Sequence, residues 1–318
     1  MNSVSTITSE YLTITETAGL LDRSERGKLA LSGPDAKAFL QGQVSNDVEG
    51  LTPGQGCYAA FLTPKGKMLG DLRILDAGDE LLLDTERVAL QDLFNMIRHF
   101  SLGYQLELHK RTLECGLLSL VGPASESVAG AAELRESEHA HLVIDIGERR
   151  ARAIRTDAGV DLLCDAADVQ ALSESLQAAG ASPVSEEVVE CLRVEHGRPR
   201  YGTDLDDTVI PQEAGLNPRA VSFTKGCYVG QETVARLYYR GKPNRHLRGL
   251  RLSERAGRGD QVTFEGRVVG QVRSVAVSPR FGPIALAFIR REVPPGASVA
   301  VSSGSSDVTA DVVALPFS

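Results

Sequence analysis

The chain of 318 residues contains no tryptophan, three methionines and only 5% aromatic residues, so its core must be built mainly from Leu, Val, Ile and Ala. Long hydrophobic runs are also missing. The most apolar stretches, such as Leu117–Val121, are strand-sized, whereas a helical membrane span needs ~20 apolar residues. No Lys or Arg precedes Arg23, while Glu10, Glu16 and Asp22 do; the cationic and apolar regions of a secretory signal are lacking, and a cytoplasmic location is expected. Cysteine is sparse and scattered: Cys57, Cys115, Cys164, Cys191 and Cys227 form no CxxC pair and no Cys/His pair at zinc-ligand spacing. A reducing compartment and no self-contained metal site follow. Positive charge is in deficit, 34 Lys plus Arg against 42 Asp plus Glu for a net −8, so the chain has no general attraction for nucleic acid or an anionic membrane. Neither GxGxxG nor GxxxxGK[ST] occurs, which removes the two common glycine-loop routes to nucleotide binding.

What remains has the composition of a soluble folded protein, 42% hydrophobic and 24% charged, long enough for two or three domains. The patterning predicts a helix in SGPDAKAFLQGQ, with Ser32 as cap and Pro34 in its first turn. Strands follow at 56–63, 68–75 and 80–84. Residues 85–103 place Val88, Leu90, Leu93, Phe94, Ile97 and Phe100 at helical spacings and close on Gly103. Strand character returns over 104–122 and 141–164, and Asp165–Ala179 reads as a helix ending at Gly180. Helices among antiparallel hairpins give an α+β class, not a doubly wound sheet. From about residue 247 short β-rich runs broken by Gly, Pro and Ser indicate a small all-β barrel or sandwich. Arg240–Arg258, with seven Lys or Arg and three Gly, reads as the interdomain connection.

Chemistry concentrates in residues 186–240. Ser185-Glu186-Glu187 can start a helix whose inner face is Val188, Val189 and Leu192 and which stops at Gly197. Glu195 then sits in the last turn, where a carboxylate faces the negative end of the helix dipole at a cost of ~0.3–1 kcal/mol. It is either solvated, paired with Arg193 or Arg198, or there for a function. More than twenty loop-rich residues follow, and loops of that length inside a domain are usually functional. At their centre, Lys225-Gly226-Cys227-Tyr228-Val229-Gly230-Gln231-Glu232 sets a thiol between two glycines and before a helix-compatible run, Gln231–Tyr239. A neighbouring lysine and a helix N-terminus both favour thiolate; a small buried hydrophobe in a turn is the alternative. Cys164 and Cys191 lie in apolar patterns and read as inert core. No local signature assigns His99, His109, His196 or His246 to a cysteine hydrolase.

The strings RVEHGRPRYGTD (193–204), PQEAGL (211–216) and KGCYVGQETVAR (225–236) closely resemble the YgfZ family of folate-binding proteins that assist iron–sulfur cluster assembly or repair. DAKAFLQGQVSNDVEGLTPG (35–54), FLTPKGKMLGDLRI (61–74), GRVVGQVRSVAVSP (266–279) and IALAFIRR (284–291) are similar to the wider superfamily shared with the aminomethyltransferase, or T-protein, of the glycine cleavage system. The resemblance implies an aminomethyltransferase-like cloverleaf of three subdomains around a central folate channel. Residues 1–240 would form a folate-binding region of two intertwined α+β subdomains, and 241–318 a C-terminal all-β barrel. It implies tetrahydrofolate or a derivative as cofactor, with Glu195 on the pterin and Asp71 and Gln231 as further folate contacts. Cys227, Lys225 and Asp71 are implied as the chemical residues, and the iron–sulfur assembly machinery or client cluster proteins as partners. A folate-dependent aminomethyl or methyl transferase and a non-catalytic folate-binding scaffold are the alternatives, so turnover is left open.

Overall fold

The structure, a computed structural model, describes residues 4–303 and 306–318. Its contacts divide the chain into two units, one of Met1–Leu62, Leu69–Glu186 and Arg219–Val229, the other of Thr63–Met68, Glu187–Pro218 and Gly230–Ser318.

Two antiparallel sheets dominate the first unit. In one, the strands run in the order Gly56–Leu62, Met68–Asp76, Glu80–Thr85, Gly27–Ser32, Glu107–Lys110. The other runs Ser182–Pro183, Gly19–Asp22, Cys115–Val121, Gly159–Asp165, Arg149–Arg155, His141–Ile146, with a single parallel pair, Gly19–Asp22 beside Ser182–Pro183. The predicted amphipathic helix is Leu90–Phe100 and buries Leu90, Leu93 and Ile97, one stripe of a 3.6-residue period. Val88 and Phe100, assigned to that stripe from the sequence, are exposed; Val88 precedes the helix and Phe100 ends it. A second helix, Val169–Ala178, packs Leu172 and Leu176 with Leu118, Leu120, Val160 and Leu162 of the six-stranded sheet.

Two expectations are corrected and one unforeseen helix is added. Ser32 does not cap the Ala36–Gln43 helix, because it pairs as the end of a strand with Glu80 on one side and Glu107 on the other; Asp35 takes the cap position, and its carboxylate accepts from the Gln105 amide. Residues 4–16 form a helix that their β-branched content does not advertise. The hydroxyls of Thr13, Thr15 and Thr17 donate to the carbonyls four residues back, so these side chains find local partners along the helical backbone. Finally, the basic run 240–258 is no mere connector: Arg245–Leu252 is a central barrel strand, paired with Gly282–Arg290 and Ser306–Val313. Leu250 and Leu252 point into the barrel core, Leu247 is buried on the opposite face of the strand, and Arg251 is exposed.

That barrel is the core of the second unit. Six strands close in the order Arg245–Leu252, Gly282–Arg290, Arg267–Ser278, Gln261–Phe264, Ser298–Ser303, Ser306–Val313, which removes the open edges of a free sheet. Val262, Val272, Ala285, Ala287, Val301 and Val312 fill its interior. No helix among the described residues is long and apolar enough to cross a membrane.

The first unit also buries charge. Arg73 donates to Asp84 at 2.8 Å on its own sheet and to Asp161 at 2.6 Å on the other, so one guanidinium joins the two sheets. Arg26 meets the remaining Asp84 oxygen at 2.9 Å, and the Ser119 hydroxyl donates to Asp161 at 2.6 Å. Burial raises the Asp84 carboxyl, but Arg26 and Arg73 outweigh it and bring it down to about 2. Removing the bridge leaves buried Asp161 without its cation and Asp84 with Arg26 alone, so Arg73→Ala is expected to cost roughly 3–5 kcal/mol, read by urea unfolding. The Asp84 contribution is complete above the unfolded carboxyl value, about 3.9, and disappears as pH falls toward about 2; acid titration of the unfolding midpoint checks that window.

Candidate functional site

Asp71 lies on the Met68–Asp76 strand and is buried. Its Oδ2 accepts from the Tyr58 hydroxyl at 2.5 Å, and its backbone carbonyl accepts from Thr85 Oγ1 at 2.6 Å. Burial pushes the carboxyl up to about 6; the Tyr58 hydrogen bond and Arg26 oppose that rise, while Glu86 and Asp84 add to it. Asp71 can therefore hold or release a proton near neutrality, a property no pattern in the sequence announces. Tyr58 is pushed far above its ordinary range by burial and by Asp71, which keeps its proton available to donate. The Arg219 guanidinium lies 5.4 Å from the centre of the Tyr58 ring and pairs with Glu138.

The predicted cysteine loop belongs to the same unit. Cys227 is exposed, so the reading of it as a buried small hydrophobe does not hold. Of its flanking glycines, Gly230 takes a left-handed φ of 86° at the start of the Gln231–Arg240 helix, whereas Gly226 does not use positive φ. Lys225 is placed to hold the loop: its Nζ donates to the carbonyls of Gln41, Val44 and Asn46 at 2.7, 2.7 and 2.8 Å, and it lies 5.1 Å from the Tyr228 ring centre. Those carbonyls come from the last turn of the Ala36–Gln43 helix and the residues after it, where backbone acceptors lack partners and a cation is welcome. Burial lowers the ammonium to about 8 against the pull of Asp47, Cys57 and Glu49. The Ser222 amide, donating to Ser45 O at 2.9 Å, and the Val229 amide, donating to Gly42 O at 3.3 Å, pin both ends of the loop to the same segment.

Asn46 connects these two features. Its carbonyl accepts from Lys225, and its side-chain amide donates to the carbonyls of Tyr58 at 2.8 Å and Arg219 at 3.0 Å. Lys225, Asn46, Tyr58 and Asp71 thus lie on one chain of hydrogen bonds through the first unit. Sequence reasoning missed Asn46, Tyr58 and Arg219. Asn46 stands in the quoted Val44-Ser45-Asn46-Asp47 string, but nothing in its spacing tells which backbone groups it bridges.

Glu195 and Gln231 belong to the second unit. Glu195 closes the Glu186–Glu195 helix with its side chain buried at 4% exposure, so the reading of a solvated carboxylate fails. The pairing with Arg193 also fails. That guanidinium is directed to Glu190, to Asp204 at 2.8 Å and to the Ser274 hydroxyl at 2.6 Å, and Ser274 in turn donates to Asp204 at 2.7 Å. Asp204, fully buried, also accepts from the Arg200 amide at 2.9 Å. Much of the Arg-Val-Glu-His-Gly-Arg-Pro-Arg-Tyr-Gly-Thr-Asp string is therefore a clamp that fixes the end of the helix. Gly197, at φ 66°, turns the chain after it, and Phe317 N–H donates to the Glu195 carbonyl at 2.9 Å. Gln231 is half-buried in the first turn of its helix. Among the described residues no group of three or more His, Cys, Asp or Glu is placed to hold a metal ion.

Comparison with known proteins gives two family matches, the GCVT N-terminal domain over residues 2–225 and the glycine cleavage T-protein C-terminal barrel domain over 245–318. A chloroplast protein of Arabidopsis thaliana named as a transferase is 27% identical, over 92% of this chain and 70% of its own. The aminomethyltransferase of Rubrobacter xylanophilus is 31% identical, over 98% of this chain and 86% of its own. The crystal structure of the glycine cleavage system aminomethyltransferase T of Bartonella henselae superposes with a TM-score of 0.86 at 24% identity, covering 98% of this chain and 89% of that one, which establishes the fold.

The Tyr58 proton favours the ionised form of Asp71, so Tyr58→Phe is expected to raise that carboxyl further above about 6, read by carbon-13 carboxyl titration. Because the folded value already exceeds the unfolded one, the Asp71 contribution to stability falls as pH rises from about 4 to about 6, a slope opposite to that of Asp84. Lys225→Met removes three charge-assisted donors and is expected to speed proteolytic cleavage within 222–229 several-fold, with the rest of the chain cut at the wild-type rate.

Proposed function

The chain belongs to the glycine cleavage T-protein family, and from that premise we propose that it binds tetrahydrofolate or a derivative and serves the assembly or repair of iron–sulfur clusters, as in the YgfZ branch. The observation that carries this reading is Cys227: an exposed thiol on a loop that Lys225 and two main-chain bonds tie to residues 41–46. One-carbon transfer needs acid–base and positioning groups and has no use for a thiol. A thiolate is a soft ligand suited to iron–sulfur or sulfur-transfer chemistry. Clusters generally take four protein ligands, so Cys227 acts transiently, on a cluster, a sulfur donor or a partner protein, and not as one member of a resident metal site. Residues 1–240 are assigned to folate binding and 241–318 to the barrel domain.

The residues present suit a reduced pterin. Its adjacent N–H donors call for a fixed acceptor, and Glu195 supplies a buried carboxylate on a clamped helix end. Asp71 is assigned to the reactive nitrogens, where a carboxyl near pH 6 can exchange a proton, and Gln231 to a further polar contact. Lys225 acts as a positioning residue for Cys227: its ammonium is held by carbonyls rather than aimed at a substrate. Asp71 also favours a second reading, a folate-dependent aminomethyltransferase, in which this carboxyl is the principal acid–base group and Cys227 is dispensable.

Two experiments separate these readings. Cells lacking the wild-type gene and carrying Cys227→Ala are expected to lose maturation of their cluster enzymes while the variant still binds tetrahydrofolate; normal maturation would sink the assembly role of the thiol. Transfer from an aminomethyl-lipoyl carrier protein that proceeds equally well with Cys227→Ala would establish the transferase instead. Glu195→Gln, which removes a charged acceptor worth ~1.5–3 kcal/mol, is expected to weaken tetrahydrofolate binding by roughly ten- to a hundredfold, read by calorimetry.

A further inference from the structure

The amide of Asn46 joins the carbonyls of Tyr58 and Arg219, and the residue before it repeats the tie. The Ser45 hydroxyl donates to the Ala220 carbonyl at 2.6 Å and accepts from the Ala60 amide at 2.9 Å. Residues 58–60 and 219–220 are therefore strapped side by side at two successive positions, with the Arg219 side chain over the Tyr58 ring. Its guanidinium carbon lies 5.4 Å from the ring centre, within the reach of a cation–π contact. Glu138 holds the guanidinium there by both oxygens: Nε donates to Oε2 at 3.3 Å and a terminal nitrogen to Oε1. The far end of the same tyrosine carries the hydroxyl that donates to Asp71 Oδ2.

We infer that Arg219 is a positioning residue for Asp71 that acts through Tyr58: its guanidinium braces the ring and draws electron density from the phenol, so the hydroxyl stays on Oδ2 and donates more strongly. A plate against one face of the ring opposes the swing that would lift the hydroxyl off the carboxylate. A cation on the π face makes the O–H a better donor, and a better donor favours ionised Asp71. The charges agree with this route. Burial and then Asp71 push the Tyr58 hydroxyl up, while Arg219, followed by Arg26, pulls it down. The guanidinium keeps its own charge, because Glu138, Asp157 and Tyr58 outweigh the effect of burial. Besides burial, Asp71 is set by Tyr58, Glu86, Arg26 and Asp84, so the phenol is the path by which Arg219 reaches it. A guanidinium paired directly with the carboxylate would lock it ionised, as Arg26 and Arg73 do to Asp84. One placed behind the phenol moderates the carboxyl and leaves it free to titrate.

The inference deepens the folate reading, which assigns Asp71 to the reactive nitrogens, and rests on it, so its test has one arm that needs no folate. Carbon-13 titration of the Asp71 carboxyl is expected to give a value about half a pH unit higher in Arg219→Gln than in the wild type. The same rise is expected when Arg219→Gln is combined with Glu138→Gln, a pair of changes that leaves no carboxylate without its cation. In a Tyr58→Phe background, Arg219→Gln is expected to move the carboxyl by less than about 0.2 pH unit, because the phenol that relays the cation is gone. No rise in Arg219→Gln, a rise absent from the combined variant, or an equal rise in the Tyr58→Phe background each overturns the role. In the second arm, calorimetry follows tetrahydrofolate affinity against pH, and the midpoint of that profile is expected to move up in Arg219→Gln by the same half unit. A folate profile that stays in place while the carboxyl moves removes Asp71 from the folate site and leaves the Arg219–Tyr58 relay standing.

Discussion

The Arg73 guanidinium, buried and shared between Asp84 and Asp161, is the constraint around which the first unit is organised. A charge removed from water needs charged or hydrogen-bonding partners on every donor, or the structure that holds it opens. Arg73 finds one partner on its own sheet and one on the other, so the sheets are fixed against each other by a contact that tolerates little sliding. Asp71 is two residues earlier on the same strand and therefore shares a face with Arg73, but it has a phenol as its direct side-chain partner. That difference in partner sets the two chemistries. Asp84, beside two arginines, is locked in its ionised form, whereas Asp71, beside Tyr58, is left to titrate near neutrality.

The second unit repeats the principle with different residues. Arg193, Asp204 and Ser274 form a buried knot between a helix end, the loop after it and a barrel strand. The neighbouring Glu195 has its main-chain carbonyl held by the Phe317 amide, and its carboxylate accepts from the Cys191 thiol. Strong ionic contacts are used for architecture, and a weaker neutral donor, the Tyr58 phenol, is used on Asp71, a carboxylate assigned to the ligand. A weak donor orients an acceptor without neutralising it, which is the requirement of a group that must still bind something else.

Much of this was legible from the residues. The Leu90–Phe100 and Glu186–Glu195 helices, the three strands between 56 and 85 and the β-rich C-terminal region follow from periodicity and turn residues. Glu195 stood out because a carboxylate in the last turn of a helix is out of place, and Cys227 because of its glycine-flanked setting. The losses have physical causes too. Ser32 is a good cap in isolation but is taken by two strand partners. The Val4–Glu16 helix is rich in Thr and Ile, residues of low helix propensity, so local preference does not announce it. Arg245–Leu252 hid under its charge, because a strand with three arginines among eight residues looks like a basic linker until it pairs.

The sequence by itself determined the secondary-structure periods, the α+β class, the barrel-forming C-terminal region and the identity of the two conspicuous side chains, because these depend on local spacing and on steric limits at single residues. Only the tertiary structure decided that Lys225 grips three carbonyls instead of facing Cys227, that Arg193 turns away from Glu195, that Tyr58 serves Asp71, and that Cys191 has a partner. Each of those outcomes is a choice among several acceptors within reach of one donor, and that choice is made by which backbones folding brings together and how much water it excludes, quantities that no stretch of neighbouring residues contains.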